Sequence, residues 1–200
     1  AFQFWAATRY TVFDDEAFSC LRYTMPLREM IPALYHGAEP DPPLYYILQN
    51  LWVHRFGVEP WALRSVSIIM FLTGLVVMRA AARAWFNPRI ARTTFLLCAL
   101  HPAHLFFGFA ARWYGAMFLM VSLLMWITGK MRAVGAPVVT GSHTYLWILW
   151  SLIAAAVCYT NYFGVIVIGL AWLAGVIHSH KSSSTPPRRR YIHWLLAGLG

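Results

Sequence analysis

Three carboxylates stand in a row at Asp14-Asp15-Glu16, in a chain that has only seven. The others are Glu29, Glu39, Asp41 and Glu59, and the 141 residues after Glu59 (200 less 59) contain neither Asp nor Glu. Acids at a helix start can serve simply as a cap that suits the helix dipole. The second acidic cluster, Glu39 and Asp41, points beyond capping, because carboxylates gathered at an apolar surface can act as general bases or bind a cation. Asp14-Asp15-Glu16 is therefore the strongest candidate for such chemistry. Asp14, Glu39 and Asp41 are candidates for contact with a substrate or a cation.

Two arginines could complement them. Arg112 lies between two apolar runs, in Gly108-Phe109-Ala110-Ala111-Arg112-Trp113-Tyr114. A lone Arg there can merely snorkel to lipid headgroups, but with Trp113 and Tyr114 beside it the same side chain could clamp a phosphate through paired hydrogen bonds. Arg64 opens the first long apolar run, and a structural tie to Glu59 competes there with a phosphate role. His101 and His104 form H-x-x-H, which places two ring nitrogens on one helix face. With Pro102 between them and no third ligand nearby, packed or hydrogen-bonded histidines are expected rather than a metal site. Gly-rich phosphate loops, Ser-His-Asp arrangements and C-x-x-C pairs are absent. The three cysteines, Cys20, Cys98 and Cys158, predict no disulfide framework.

The elements that must hold these residues are membrane helices. Hydrophobic residues make up 60% of the chain and charged residues 12%, with mean hydropathy +0.55. Soluble domains carry about 25% charged residues, so the chain falls in the membrane class. The net charge of +9 does not imply nucleic acid, because the cations sit in short clusters between apolar runs. The chain is expected to be one transmembrane domain and a piece of a longer protein. Residues 1–12 read as the end of a first span. Residues 13–58 form an outer loop, in which 16–36 and 43–56 lie as helices in the interface. Pro43 opens the second of these and Gly57 ends it. Five spans follow within 60–178, at 60–85, 90–109, 112–129, 145–161 and 162–178, and residues 191–200 begin another.

Orientation follows from Lys and Arg. Arg79, Arg83, Arg89 and Arg92 mark one connection, Lys130 and Arg132 a second, and Lys181 with Arg188, Arg189 and Arg190 a third. These are alternate connections, and the positive-inside rule makes their side cytoplasmic. Parity then predicts that residues 13–60, the turn at 108–114 and the turn at Thr160-Asn161-Tyr162 share the other side. The complete spans contain no acid, which favours surface chemistry over transport, because transporters bury ionisable groups within their spans.

With those residues in view, a pattern emerges. Asp15-Glu16-Ala17-Phe18-Ser19 followed by Asp41-Pro42-Pro43-Leu44-Tyr45-Tyr46 resembles the first outer loop of polytopic GT-C glycosyltransferases, nearest to the protein mannosyltransferase and aminoarabinose transferase superfamily. Phe56-Gly57 with Trp61-Ala62-Leu63-Arg64 is similar to that family's "FG…ALR" step. Ala111-Arg112-Trp113-Tyr114 resembles its "EARxY" turn, and Tyr159-Thr160-Asn161-Tyr162-Phe163-Gly164 its "THYF" turn. The likeness runs in order over nearly the whole chain.

The resemblance implies an all-α polytopic membrane protein, with two interfacial helices in its first outer loop. It implies an inverting transferase that moves a sugar from a polyprenyl-phosphate donor to an acceptor hydroxyl on a glycan, lipid or protein. The expected setting is the extracytoplasmic face of a bacterial inner membrane, with membrane lipids around the chain and no nucleic acid partner. Asp15 takes the place of the catalytic base, with Glu16 beside it. Arg112, with Arg64 and Tyr114, takes the place of the donor-phosphate contacts, and Tyr45 lies in the substrate loop. Some relatives bind a divalent metal ion, which makes one a candidate cofactor. The chain departs from the pattern at Asp41, where the family has His, at Ala110, where it has an acid, and at Asn161 of the "THYF" turn. A non-catalytic relative, acting as a lipid-linked sugar transporter or an assembly scaffold, is the alternative.

Overall fold

A computed structural model describes residues 2–9, 14–38, 41–133 and 144–181, with the side chains of all of these except 14, 15, 38 and 175–181. These residues are helical, with no strand among them. Helix α1 (Phe2–Arg9) is followed by α2 (Asp14–Tyr23), α3 (Leu27–Ala33) and a wide turn at Leu34–Ala38, then α4 (Leu44–Phe56). Beyond α4 come α5 (Pro60–Trp85), α6 (Pro88–Leu100), α7 (Pro102–Phe107), α8 (Tyr114–Ala133), α9 (Thr144–Cys158) and α10 (Gly164–Lys181).

The boundaries follow from local chemistry. Pro43 and Pro60 stand where a helix has no use for a backbone N–H, and α4 and α5 start there. Gly57 ends α4 with φ of 88°, a conformation that side chains disfavour. Asn87 caps α6 by accepting from the N–H groups of Arg89 and Ile90, each at 3.0 Å. All three cysteines are free thiols.

Two helices, α5 with 26 residues and α8 with 20, are long and apolar enough to cross a membrane. At 1.5 Å per residue they measure about 39 and 30 Å, against a hydrocarbon layer of about 30 Å. Helices α9 and α10 are apolar but shorter over the residues that can be weighed. Large apolar side chains such as Val76, Leu97, Leu152 and Val165 point outward, as suits contact with lipid.

The single span expected over 90–109 is not one helix. Pro102 forces the preceding residue out of the helical region, and His101 is extended at φ −62°, ψ 127°. It closes α6 and caps α7, its Nδ1 accepting from Ala103 N–H at 3.3 Å. Where the remaining spans are expected, helices α8, α9 and α10 lie with boundaries shifted by a few residues, and of these α8 has the length and apolar character to cross a membrane. The start of a helix expected at 191–200 lies outside the described residues.

Helices α5 and α8 run parallel, tightly packed along small residues. Gly115 of α8 lies against the Ser67 carbonyl, Gly74 of α5 against Phe118 and Leu119, and Gly129 against Ala84 and Trp85. A parallel pair needs a return path, which α6 and α7 supply. Near one end, Arg132 Nη1 donates to the Trp85 carbonyl at 3.1 Å, so the Arg79–Arg92 connection and the Lys130–Arg132 connection are neighbours. The first loop and the turns at 108–114 and 159–163 meet at the other end. There a core of Tyr23, Met30, Tyr45, Tyr46, Val53 and Leu63 packs on Ala111 and Ala116. A second core joins α8, α9 and α10 through Leu124, Trp147, Trp150 and Ala171.

Candidate functional site

Glu16, in the first turn of α2, faces inward and is 3% exposed. Arg64, in the second turn of α5, is 1% exposed. Arg64 donates to both carboxylate oxygens of Glu16, from Nη2 at 2.6 Å and from Nε at 3.2 Å. Its Nη1 donates to the Ala7 carbonyl at 3.0 Å, and its guanidinium lies 5.4 Å from the centre of the Phe109 ring. The N–H of Ala111 donates to Glu16 Oε1 at 2.6 Å. A two-pronged pair of this kind is strong and orientation-specific. It joins the end of α1, α2, α5 and the turn before α8. Glu59 is exposed at the start of α5 and its side chain makes no capping hydrogen bond there, so the tie expected between Glu59 and Arg64 is replaced by one to Glu16.

Asp41 forms the second knot. Its Oδ2 accepts from Trp113 Nε1 at 2.8 Å and from Arg112 Nη2 at 3.3 Å. Its Oδ1 accepts from Asn161 Nδ2 at 2.8 Å. Arg112 Nη1 also donates to Ser19 Oγ on α2. Asn161 Oδ1 in turn accepts from Phe163 N–H at 2.9 Å, and Leu44 N–H donates to the Tyr159 carbonyl at 3.0 Å. The side chains of Arg112 and Asp41 are 11% and 9% exposed. Three turns distant in sequence, at 41–43, 110–114 and 159–163, are thus fastened to one carboxylate and to α2.

A deeper polar layer fixes the backbone of the Arg112 turn. Tyr23 OH donates to the Ala111 carbonyl at 3.0 Å, and Ser67 Oγ to the Arg112 carbonyl at 3.4 Å. Tyr45 OH lies 2.6 Å from Ser67 Oγ, to which it can donate while Ser67 donates onward, and 3.3 Å from Gln49 Oε1. Asn50 Nδ2 donates to the Tyr23 and Met25 carbonyls, both at 2.8 Å. Burial holds the phenols of Tyr23 and Tyr45 well above the ordinary tyrosine range. Both stay neutral, and Tyr23 remains a donor. Tyr23, Gln49, Asn50, Ser67 and Asn161 were not singled out from the sequence as site residues. The available signal was the polar pair Gln49-Asn50 within a helix of mainly apolar and aromatic residues.

The remaining candidates are placed as follows. Asp14 and Asp15 form the start of α2, and Asp15 lies one helical turn, about 6 Å along the axis, before Ser19. Glu39 lies outside the described residues. Tyr45 is 2% exposed, so its ring belongs to the core rather than to an open substrate surface. Tyr114 stacks between Phe107 and Trp113, with ring centres 4.8 and 4.5 Å away. It lines an apolar cavity of about 260 Å³ with Phe71, Met117 and Phe118. A smaller cavity of about 190 Å³ opens beside Asp41, between Tyr35, Pro42, Pro43 and Tyr162. His104 Nδ1 is 2.7 Å from the Cys98 carbonyl, so both histidines of H-x-x-H are hydrogen-bonded within the helices. Among the described residues, no three His, Cys, Asp or Glu side chains gather closely enough to hold a metal ion.

The site therefore offers a buried, fixed guanidinium, a carboxylate held by three donors, and a small cavity with aromatic walls beside them. Compared with known proteins, the chain matches no family model, no curated protein and no solved structure.

Proposed function

We propose that the chain belongs to a membrane-embedded glycosyltransferase that uses a polyprenyl-phosphate sugar. The observation that carries this reading is convergence. The segments that resemble GT-C motifs, Asp15–Ser19, Asp41-Pro42-Pro43, Arg112-Trp113-Tyr114 and Thr160-Asn161, meet at one end of the helices. Two of the three departures from the pattern, Asp41 and Asn161, are hydrogen-bonded to each other across 120 residues. Complementary departures at one contact are what a working variant of a site requires.

In the proposed reaction, Asp15 takes the proton of an acceptor hydroxyl as its oxygen bonds to the anomeric carbon. The bond from that carbon to the phosphate oxygen breaks, and the polyprenyl phosphate leaves with the electron pair. Configuration at the carbon is inverted. Arg112, already oriented by Ser19 and Asp41, supplies fixed positive charge to the departing phosphate, the type of stabilisation that is most effective in a water-poor site. The cavity beside Asp41, walled by Tyr35 and Tyr162, receives the sugar. Glu16 and Arg64 keep the loop and the turn in register, and no step is assigned to a metal. Two of the cationic connections, Arg79–Arg92 and Lys130–Arg132, lie at the opposite end, which supports an extracytoplasmic site under the positive-inside rule.

Transfer from a radiolabelled polyprenyl-phosphate sugar in isolated membranes tests the reading. Asp15→Asn should lower the rate by about 100-fold or more, and Arg112→Lys should lower it as well while leaving the protein folded. Transfer by Asp15→Asn at the wild-type rate would remove the proposed base. The alternative is a non-catalytic scaffold or transporter, favoured by the engagement of Glu16 and Asp41 with protein donors. It predicts donor binding without turnover in the wild-type protein.

A further inference from the structure

The end of the helices opposite Asp41 carries a cluster of cations that the proposed reaction does not use. Arg79 and Arg83 are four residues apart on α5, and Arg89 and Arg92 three apart on α6, spacings that place each pair on one helix face. All four lie within about 10 Å, along the helix axes, of the turn at Phe86-Asn87. All four are exposed. Among the described residues none of them takes part in an ion pair or a side-chain hydrogen bond. Residues 60–200 contain no Asp or Glu that could pair with them.

The contrast with the other end is sharp. There Arg64 and Arg112 are buried on Glu16 and Asp41. The two neighbouring cations on α8 are partly satisfied, with Arg132 over the Trp85 ring at 5.2 Å and Lys130 over Trp126 at 5.8 Å. The N-terminal amides of α6 are taken by the Asn87 side chain. Among the described residues, the four guanidinia are therefore donors at this end without a carboxylate or side-chain hydrogen-bond partner. Each presents a planar fork of N–H groups that fits phosphate oxygens.

We propose that the α5–α6 turn is a binding site for the phosphodiester headgroups of anionic phospholipids in the leaflet that surrounds it. The position fits. The cluster lies at the end of α5, a helix long enough to cross the bilayer, where headgroup phosphates stand. Basic clusters at such helix ends attract anionic lipids. The inference rests on the membrane setting of α5 and α8 but not on the glycosyl-transfer chemistry.

The test uses the full protein purified in a neutral detergent. Phosphatidylglycerol and phosphatidylcholine are titrated in separately, and bound lipid is counted by native mass spectrometry. Phosphatidylglycerol should be retained preferentially, and its binding should weaken as NaCl is raised from about 50 to 500 mM, roughly a threefold shorter screening length. Arg79→Gln with Arg83→Gln, and Arg89→Gln with Arg92→Gln, should each weaken binding by about fivefold per charge removed. Arg28→Gln and Arg55→Gln, which alter cations of the first loop, should leave it unchanged. Equal retention of both lipids, or no salt dependence in the wild-type protein, overturns the proposal without reliance on any variant. Full displacement by an equal concentration of glycerol phosphate overturns it in favour of a soluble phosphate ligand. Recovery of the protein outside alkali-washed membranes overturns the membrane setting and this inference together. Recovery in membranes with no preference for phosphatidylglycerol overturns this inference alone.

Discussion

Replacing Arg64 with Met removes one half of the sealed pair and leaves Glu16 at 3% exposure without its counter-charge. Glu16 keeps the Ala111 N–H at 2.6 Å and loses the two donors from Arg64. Breaking a buried pair on one side costs about 3–5 kcal/mol, because the remaining charge stays desolvated. For a chain of this size each kcal/mol moves the melting temperature by about 2–4 °C, so Arg64→Met should lower it by about 10 °C. Glu16→Gln alone should cost a similar amount by stranding the guanidinium. The double variant Glu16→Gln/Arg64→Met removes both charges of the pair, and the new amide oxygen can still accept from Ala111. It should therefore recover most of the loss, and what remains, about 1–3 kcal/mol, reflects the Ala7 carbonyl left without its donor. The measurement is thermal unfolding in detergent followed by tryptophan fluorescence, for which the chain has ten reporters. Below its melting temperature, Arg64→Met should retain donor-dependent transfer within a few-fold per folded molecule. A double variant that loses the sum of the single losses would refute the pairing argument. A drop in transfer of about 100-fold or more in the folded single variant would return Arg64 to a direct role at the phosphate.

Other consequences can be checked in the same preparation. Gly115→Ala pushes a methyl group into the Ser67 carbonyl and should cost about 1–3 kcal/mol through overpacking between α5 and α8, read as a lower melting temperature. The buried phenols of Tyr23 and Tyr45 titrate above their unfolded range. Their contribution is thus complete below about pH 10 and is lost as pH rises beyond it toward the folded pKa values. The melting temperature should fall above pH 10, and less steeply in Tyr23→Phe. Asn161→Asp sets a second carboxylate where the amide now donates to Asp41, and should destabilise more than Asn161→Ala in the same melting assay.

Much of the helical plan was legible because single residues dictate it. Pro60, a long apolar run and Asn87-Pro88 bound α5 without help from the rest of the chain, as Pro43 and Gly57 bound α4. The run at 90–109 misled because hydropathy adds up across a break that it cannot see. Pro102 was the visible clue, and its missing N–H outweighs the apolar character of its neighbours. The meeting of the first loop with the turns at 108–114 and 159–163 could be anticipated, since alternating cationic connections fix which turns share an end. The pairings within that end could not. Arg64 is five residues from Glu59 but bonds to Glu16, 48 residues away, because Glu59 stays exposed at the start of α5 whereas Arg64 turns inward. Sequence proximity says little about which face of a helix is buried. Asn161 illustrates the same limit, since it stood out only as a departure until Asp41 was seen opposite it.

The long reach of these bonds also dictates an order of events during synthesis. Glu16 emerges from the ribosome 48 residues before Arg64 and 95 before Ala111, and Asp41 emerges 120 before Asn161. At about 5–20 residues per second, the first carboxylate waits several seconds for its cation and the second about two and a half times as long for its amide. The amino-terminal loop must therefore remain hydrated until later helices arrive, and the end that holds Asp41 cannot close before Asn161 has been made.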